Sequence, residues 1–440
     1  MKKLALLLSI MTASSAHAQR QAYVVNSLAE TLSIIDLETG QVTNHAVALG
    51  EAPNQAAYHD GFLYVVNSIS ADIMKIDPAD RQIVAEIYLA IGSNPYYMAF
   101  SENHCFVTGF VSGAVYRIDL STNVIDGQTD VGGFPEGIVY ADGLVYVTQT
   151  YFNPDDYSYG QGMVSVINAS TMSVEGQFEV GTNPQWISKS DIGELHIVCT
   201  GNYFDILGSV YIYGPAEGEI VDSVNIGGTP ASLAISPLGI GYLAAGGWED
   251  EGLVFAYDID SREIINGPGN PIETGLGVTC VAVDSLGFLY STDMGDDTIT
   301  KMSSSGGYLG NFSVGDGPVF LTIVDDAVLG IEDNEHKIVP ENMAILSNYP
   351  NPFNSSTVIW FEIENVDVSD LRVYIYDQLG RIVKRLSPGT EEANGSVFWD
   401  GTDNLGSECS SGVYFAGLSG RADGDGRKIE GWMRKMVLVR

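Results

Sequence analysis

Seven oxygen-bearing side chains recur at matched places along the chain, and together they could form a hard-cation or polar-ligand site. Asn54, Glu136 and Gln185 each follow a proline that opens a strand-like run, and Asn26, Asn67, Gln149 and Asp293 each close the kind of run that comes next. If a repeat turns them all toward one axis, amide and carboxylate oxygens converge, a donor set that can hold Ca²⁺ at about 2.3–2.6 Å. Only Glu136 and Asp293 carry charge. Asn54, Glu136 and Asp293 are therefore the metal-ligand candidates, and Glu136 and Asp293 the catalytic ones. The same groups in a wet channel need no metal, and no other cofactor is expected.

A second set combines aromatic rings with acids. Three long loops, Tyr151–Gly160, Gly201–Leu207 and Gly247–Gly252, carry Tyr151, Phe152, Tyr157, Tyr159, Tyr203, Phe204 and Trp248. Beside these rings stand Asp155, Asp156, Asp205, Glu249, Asp250 and Glu251, with Asp296 and Asp297 in a shorter loop further on. Flat apolar faces next to carboxylates suit sugar rings, cationic groups held over a ring, or an aromatic protein partner. The alternative is that the rings fold inward as lids and the acids face water. Nucleophilic and transition-metal chemistry has less support. There is no G-x-S-x-G and no H-E-x-x-H; His59 and His104 fall near first-to-second turns, His196 in a core column, His45 on an outer strand and His336 in the linker, so no cluster forms.

The elements that position these groups are repeats. Strand-opening phrases start at Pro53, Pro95, Pro135, Pro184, Pro230, Val278 and Pro318, a period of 40–49 residues. Each turns into a second strand such as Leu63-Tyr-Val-Val-Asn67 or Val145-Tyr-Val-Thr-Gln149, through turns that include Asp60-Gly61 and Asp142-Gly143. Third strands end in Asp36, Asp77, Asp119 and Asp258, whose side chains are expected to bond turn backbone. β-Branched and aromatic residues recur with period two, and helical periodicity is absent. The array begins on a second strand, Ala22-Tyr-Val-Val-Asn26, and ends on a first strand, Pro318–Asp325. Strands 22–48 with inner strand 318–325 therefore complete one unit and close the ring. Cys105, Cys199, Cys280 and Cys409 lie too far apart in this register to pair, so free buried thiols are expected.

Tyr23-Val-Val-Asn26, Tyr64-Val-Val-Asn67 and Tyr146-Val-Thr-Gln149, each followed by an Ile-Asp or Ile-Asn strand, resemble the YVTN family of seven-bladed propellers over roughly residues 20–330. That resemblance implies the fold of a family group that includes surface-layer modules, binding proteins, lactonases and quinone-dependent dehydrogenases.

Composition bounds the setting. Lys2-Lys3, an apolar run Leu4–Ile10 and Ala16-His17-Ala18 read as a signal peptide over 1–18. No segment offers the roughly 20 apolar residues of a membrane helix. Net charge is −36, and residues 19–341 hold 43 acids against 8 bases, a surface that disfavours nucleic acid. After a charged linker over 332–343, Thr357–Ile363, Leu371–Tyr376, Ser396–Trp399 and Gly412–Phe415 alternate like a small β-sandwich. Asn348-Tyr-Pro-Asn-Pro-Phe-Asn354, Val373-Tyr-Ile-Tyr-Asp-Gln-Leu-Gly-Arg381, Trp399-Asp-Gly401, Ser411-Gly-Val-Tyr-Phe415 and Arg434-Lys-Met-Val-Leu-Val-Arg440 follow in order. Residues 344–440 thus resemble the type IX secretion system sorting domain, of the subtype sharing a fold with the immunoglobulin-like part of flagellar hook-capping proteins. The resemblance implies passage through the periplasm, contact with that machinery and delivery outside the cell.

The expected architecture is all-β: a seven-bladed β-propeller over 19–331 followed by a small immunoglobulin-like β-sandwich. The expected function is a secreted or cell-surface binding protein, not committed as an enzyme, taking a glycan or peptide on the long-loop face. The alternative is a metal-dependent lactonase or lyase working in the funnel.

Overall fold

The computed structural model of the protein describes residues 20–246, 251–325, 343–363, 368–377, 381–387, 394–404, 406–422, 428–430 and 434–440. The expected signal peptide, and all but the last residue of the expected linker, lie outside these. The described residues are strands joined by turns and loops. None forms a helix long and apolar enough to cross a membrane.

Among the described residues, seven antiparallel sheets are built on one plan. Sheet I pairs Arg20–Asn26, Thr31–Asp36 and Val42–Ala48 with Pro318–Asp325 as its innermost strand. Sheet II runs outward as Pro53–His59, Phe62–Asn67, Asp72–Asp77 and Gln82–Tyr88, and sheet III as Pro95–Phe100, His104–Gly109, Ala114–Asp119 and Val124–Asp130. Sheet IV holds Pro135–Ala141, Leu144–Gln149, Met163–Asn168 and Val174–Glu179; sheet V holds Pro184–Lys189, Leu195–Cys199, Ser209–Gly214 and Glu219–Val224. Sheet VI holds Leu233–Ile235, Ile240–Ala244, Leu253–Asp258 and Ile264–Asn266, and sheet VII Val278–Val283, Leu289–Asp293, Thr298–Met302 and Tyr308–Ser313. Each innermost strand lies against that of the next sheet, round to Pro318–Asp325 and back, which makes the ring a β-propeller.

Position in the sheet explains the sequence texture. Second strands are covered by neighbouring sheets on both faces, so Leu195–Cys199 is buried throughout and reads as a continuous apolar run. Fourth strands face water, and Val124–Asp130 alternates exposed and half-buried residues. The paired turns hold the left-handed conformations that tight hairpins require: Asp60 and Gly61 at φ 45° and 82°, Asp142 and Gly143 at 50° and 84°. Asp36, Asp77, Asp119 and Asp258 each accept backbone N–H groups of the turn that follows, as their placement predicted. All four cysteines are free and buried.

Sheet VI departs from the expected pattern. Its inner strand starts only at Leu233, after a Gly227-Gly228 turn with both residues at positive φ. Its outer edge is split, because Gly267–Asn270 turns the chain before Ile272–Glu273 rejoins Leu253–Asp258.

Residues 343–440, taken by themselves, form two antiparallel sheets. One contains Met343–Tyr349, Thr357–Ile363 and Asn394–Trp399; the other contains Ile382–Leu386, Val368–Tyr376, Gly412–Ala422, Lys428–Glu430 and Arg434–Leu438. Phe361 and Trp399 of the first meet Val373, Ile375, Ala416 and Met436 of the second in a shared core. The Trp399 indole donates to the Thr402 carbonyl at 2.9 Å.

Candidate functional site

The inner strands do not begin as regular strands. Register shifts fall between Pro53 and Gln55, Pro95 and Met98, Pro135 and Ile138, Pro184 and Trp186, and Val278 and Val281. The residues within these bulges are Asn54, Tyr96-Tyr97, Glu136-Gly137, Gln185 and Thr279-Cys280. A bulge re-aims side chains, and here it does so at one end of successive inner strands. Threonines of the second strands hold several bulges in place. Thr108 Oγ1 accepts from the Tyr97 amide at 3.1 Å and reaches the Glu136 carbonyl of the next sheet at 2.9 Å. Thr148 Oγ1 accepts from the Gly137 amide at 2.8 Å. A Cβ on Gly137 would come within 3.0 Å of the Trp186 backbone, so the close approach of sheets IV and V needs glycine there.

Glu136 is 6% exposed, and among the described residues nothing hydrogen-bonds or ion-pairs to its carboxylate. Burial alone pushes that carboxyl up to about 8. Burial, and after it the charge of Glu136, raises the phenols of Tyr96, Tyr97, Tyr159 and Tyr203, so all four lie within electrostatic reach of that carboxylate. Asn183 lies beside the Tyr159 and Tyr203 hydroxyls. It is fully buried, yet neither end of its amide completes a hydrogen bond. Gln185 Nε2 donates to the Tyr203 hydroxyl at 3.1 Å, and its Oε1 accepts from Thr200 at 2.9 Å.

A continuous series of ring contacts connects this acid to the long loops. Phe320, Trp186 and Tyr97 meet on the inner strands, with Trp186 centroids 5.9 Å and 5.0 Å from the other two. Tyr97 touches Tyr96, which leads to Phe110, Phe134 and Phe152 at 5.6, 5.2 and 6.0 Å. Phe152 then meets Tyr157 and Tyr159, and Tyr159 meets Tyr203 at 6.2 Å.

The loops are built, not slack. Phe152–Asn153 and Ser158–Tyr159 pair as a small hairpin, with Asp156 accepting from the Ser158 amide and hydroxyl. Asn202 Oδ1 accepts from the amides of Phe204, Asp205 and Ile206, while its Nδ2 donates to Asp205 at 2.6 Å. Tyr151, Tyr157 and Tyr203 sit at φ 50°, 59° and 62°, uncommon for bulky residues. Tyr157 and Phe204 are 77% and 89% exposed, Tyr151 and Tyr203 also face water, and Phe152 and Tyr159 are half-buried. Asp155, Asp156 and Asp205 are exposed. Trp248, Glu249 and Asp250 lie outside the described residues.

Asp293, the second charged candidate, is satisfied within its own part of the ring. Asp293, fully buried, accepts from Thr274, Ser291, Thr298 and Thr300 at 2.5–3.1 Å, three sheets round the ring from Glu136. Asn26 Nδ2 donates to Ser33, Asn67 Nδ2 to Asp72, and Gln149 Nε2 to the Val131 carbonyl. Asn54 bonds Ser68. Asn26 and Asn67 thus close on their own sheets, and Gln149 on the connection that leads into its sheet. Asp296 and Asp297 similarly accept loop amides, from Leu276 and Gly317.

Two groups escaped the sequence reading. His104, Asp119 and Asp126 have ligand atoms within 4.8 Å of one another, but Arg117 binds both oxygens of Asp126 and Asp119 caps its turn, held at about 2 by those bonds. Both carboxylates of the cluster are therefore already engaged, Asp126 by Arg117 and Asp119 by its turn. The other is a crown of exposed apolar residues on the short loops, Leu28, Ile69, Ile91 and Val111, where loop length alone drew no notice. Aligning the residue after each opening proline would have found Tyr96 beside Asn54, Glu136 and Gln185.

No protein-family model matches the chain, and no curated protein matches its sequence. Among solved structures it is similar to a candidate 6-phosphogluconolactonase from Bacteroides fragilis, with 13% identity, TM-score 0.57, 71% of this chain and 99% of that one covered. A candidate 6-phosphogluconolactonase from Bacteroides uniformis gives 12%, 0.56, 70% and 100%. A functionally unknown protein from Desulfotomaculum acetoxidans gives 14%, 0.56, 69% and 99%. At these identities the likeness establishes the propeller fold alone.

Proposed function

We propose that the protein is a secreted or cell-surface binding protein of the seven-bladed YVTN type. In this reading residues 344–440 are its type IX sorting domain, and it takes a glycan or peptide on the face formed by loops 151–160 and 201–207. The observation that carries the reading is the pairing of exposed, backbone-braced rings, Tyr157 and Phe204 foremost, with a ring series leading to the axis. Bracing of this kind lowers the ordering cost of binding. The ordered carboxyl-terminal motifs, from Asn348-Tyr-Pro-Asn-Pro-Phe-Asn354 to Arg434–Arg440, support the export route. Calorimetry of the secreted chain against a glycan and peptide panel tests the reading. Heat that vanishes in Tyr157→Ala and Phe204→Ala supports it, and heat that survives both overturns it.

A second reading rests on Glu136 and on the two candidate lactonases among the fold neighbours: a lactonase or lyase with Glu136 as the acid or base. A carboxyl near 8 is poised for proton transfer at neutral pH. Lactone hydrolysis abolished by Glu136→Gln would establish it, and by chelator would add a metal.

A further inference from the structure

The strongest unexplained feature of the molecule is a pair of buried polar groups without partners on neighbouring sheets. A buried carboxylate left unpaired is costly, and so is a buried amide with neither end bonded. Asn183 is in that condition beside Tyr159 and Tyr203, and Glu136, 6% exposed on the adjacent sheet, has no hydrogen-bonding or ion-pairing partner among the described residues. Unlike the crown of apolar loop residues, this pair specifies its occupant. A partner that donates hydrogen bonds, carries a positive charge able to ionise Glu136, and fits against phenol rings would satisfy both groups.

Ca²⁺ meets the charge requirement but not the rest. It takes six to eight oxygen ligands, usually several of them carboxylates. Here the one carboxylate is Glu136. Asp293 is saturated by hydroxyls elsewhere, and Gln185 Oε1 already accepts from Thr200. An –NH₃⁺ group has three donors, enough for the Glu136 carboxylate, the Asn183 amide oxygen and a phenol oxygen. Its charge is also stabilised over tyrosine faces. The strongly negative chain would draw such a cation in from a distance.

We propose that Glu136 and the tyrosines around it bind an organic ammonium group, carried by a lysine side chain or an amino sugar. The proposal deepens the binding reading and rests on it, but it assigns the recognition to the inner-strand bulges and not to the loop tips. Because burial holds the free carboxyl near 8, much of it is protonated at pH 7, so a bound ammonium should ionise it and release a proton.

The test uses the full chain and named probes. Butylammonium is titrated against uncharged pentane of matching length, with Trp186 and tyrosine fluorescence and with calorimetry in two buffers of different ionisation heat. The expected result is saturable binding of the cation, about tenfold or more weaker binding of the neutral probe, and proton release at pH 7 that disappears by pH 9. Glu136→Gln should weaken the cation by a similar factor, and Asn183→Leu should weaken it without abolishing proton release. Circular dichroism establishes that each variant is folded. Should Glu136→Gln not fold, the neutral-probe ratio and the proton count still decide. An acetylated lysine peptide series and a glucosamine oligomer then tell which source carries the ammonium. Equal affinity for the two probes, no binding of either, an unchanged Glu136→Gln, or Ca²⁺ binding that excludes butylammonium each overturns the proposal. The glycan and peptide panel in Tyr157→Ala and Phe204→Ala reads the loop face, whereas butylammonium with Glu136→Gln reads the bulges. Failure of the loop-face reading is thereby separable from failure here.

Discussion

Gln185 Nε2 donates to the hydroxyl of Tyr203 at 3.1 Å, and that bond ties an exposed loop of sheet V to the bulge that opens its own inner strand. Tyr203 also feels the charge of Glu136 from the adjacent sheet. One phenol thus reports on the loop face and the axis together.

The loop rings should matter for binding and hardly at all for stability. Tyr157 and Phe204 expose most of their surface, so Tyr157→Ala and Phe204→Ala should each change unfolding free energy by less than about 0.5 kcal/mol. Urea melts check the stability, and the panel calorimetry checks the binding.

Glu136 should make the propeller less stable as pH rises. Its folded value, about 8, lies above the ordinary 4.5, so the folded state holds its proton more tightly. Stability linked to that proton is complete below about pH 4.5 and is lost as pH climbs through 8. The loss is on the order of a few kcal/mol. Glu136→Gln should flatten this slope and raise Tm at pH 8.5 relative to the unsubstituted protein. Thermal melts from pH 5 to 9 decide it.

His196 should act in the opposite direction. Burial first, and then the Arg262 charge, lower it to about 4, while its Nδ1 bonds the Tyr257 hydroxyl at 2.7 Å. A histidine depressed in the fold takes up its proton more readily when unfolded, so stability falls as pH drops from about 6.5 through 4. His196→Phe should cost about 1–3 kcal/mol at pH 7 by orphaning Tyr257, yet show a shallower acid-side loss. Urea melts at pH 7 and 4.5 measure both effects.

Asp293 should prove a structural clasp. Replacing it with Ala leaves four hydroxyls, those of Ser291 and Thr300 buried, to find new acceptors and should destabilise by about 2–4 kcal/mol. Adding chelator should not move Tm in either protein. A chelator-sensitive Tm that Asp293→Ala removes would mean that the hydroxyl cage holds an ion.

The fold was legible because its signals are local and repeated. Prolines opening strands, Asp-Gly hairpins and doubly buried runs such as Leu195–Cys199 each announce one strand. The site was only partly legible, because its members come from three sheets. Glu136 could be singled out as a charged residue at a strand start. That it is buried without a partner, between the bulges at Tyr96-Tyr97 and Gln185, depends on how sheets III, IV and V approach one another, which Gly137 permits and no single stretch of sequence states. Asp293 misled for the complementary reason. Its partners Thr298 and Thr300 are on the adjacent strand, but whether a carboxylate faces a channel or its own sheet depends on what covers the strand.

Sheet I joins Arg20–Asn26 to Pro318–Asp325, pairing Arg20 with Asp325 across nearly the whole propeller sequence. The ring is therefore a belt with its buckle at the two ends. Bringing those ends together costs about 5 kcal/mol of chain entropy beyond a constant, and no earlier strand can take up that cost. Until residue 318 and its successors exist, Tyr23, Val24 and Val25 present a bare inner edge that any passing strand could occupy. The last strand of the propeller to be synthesised thus both completes the ring and blocks it from pairing with another copy.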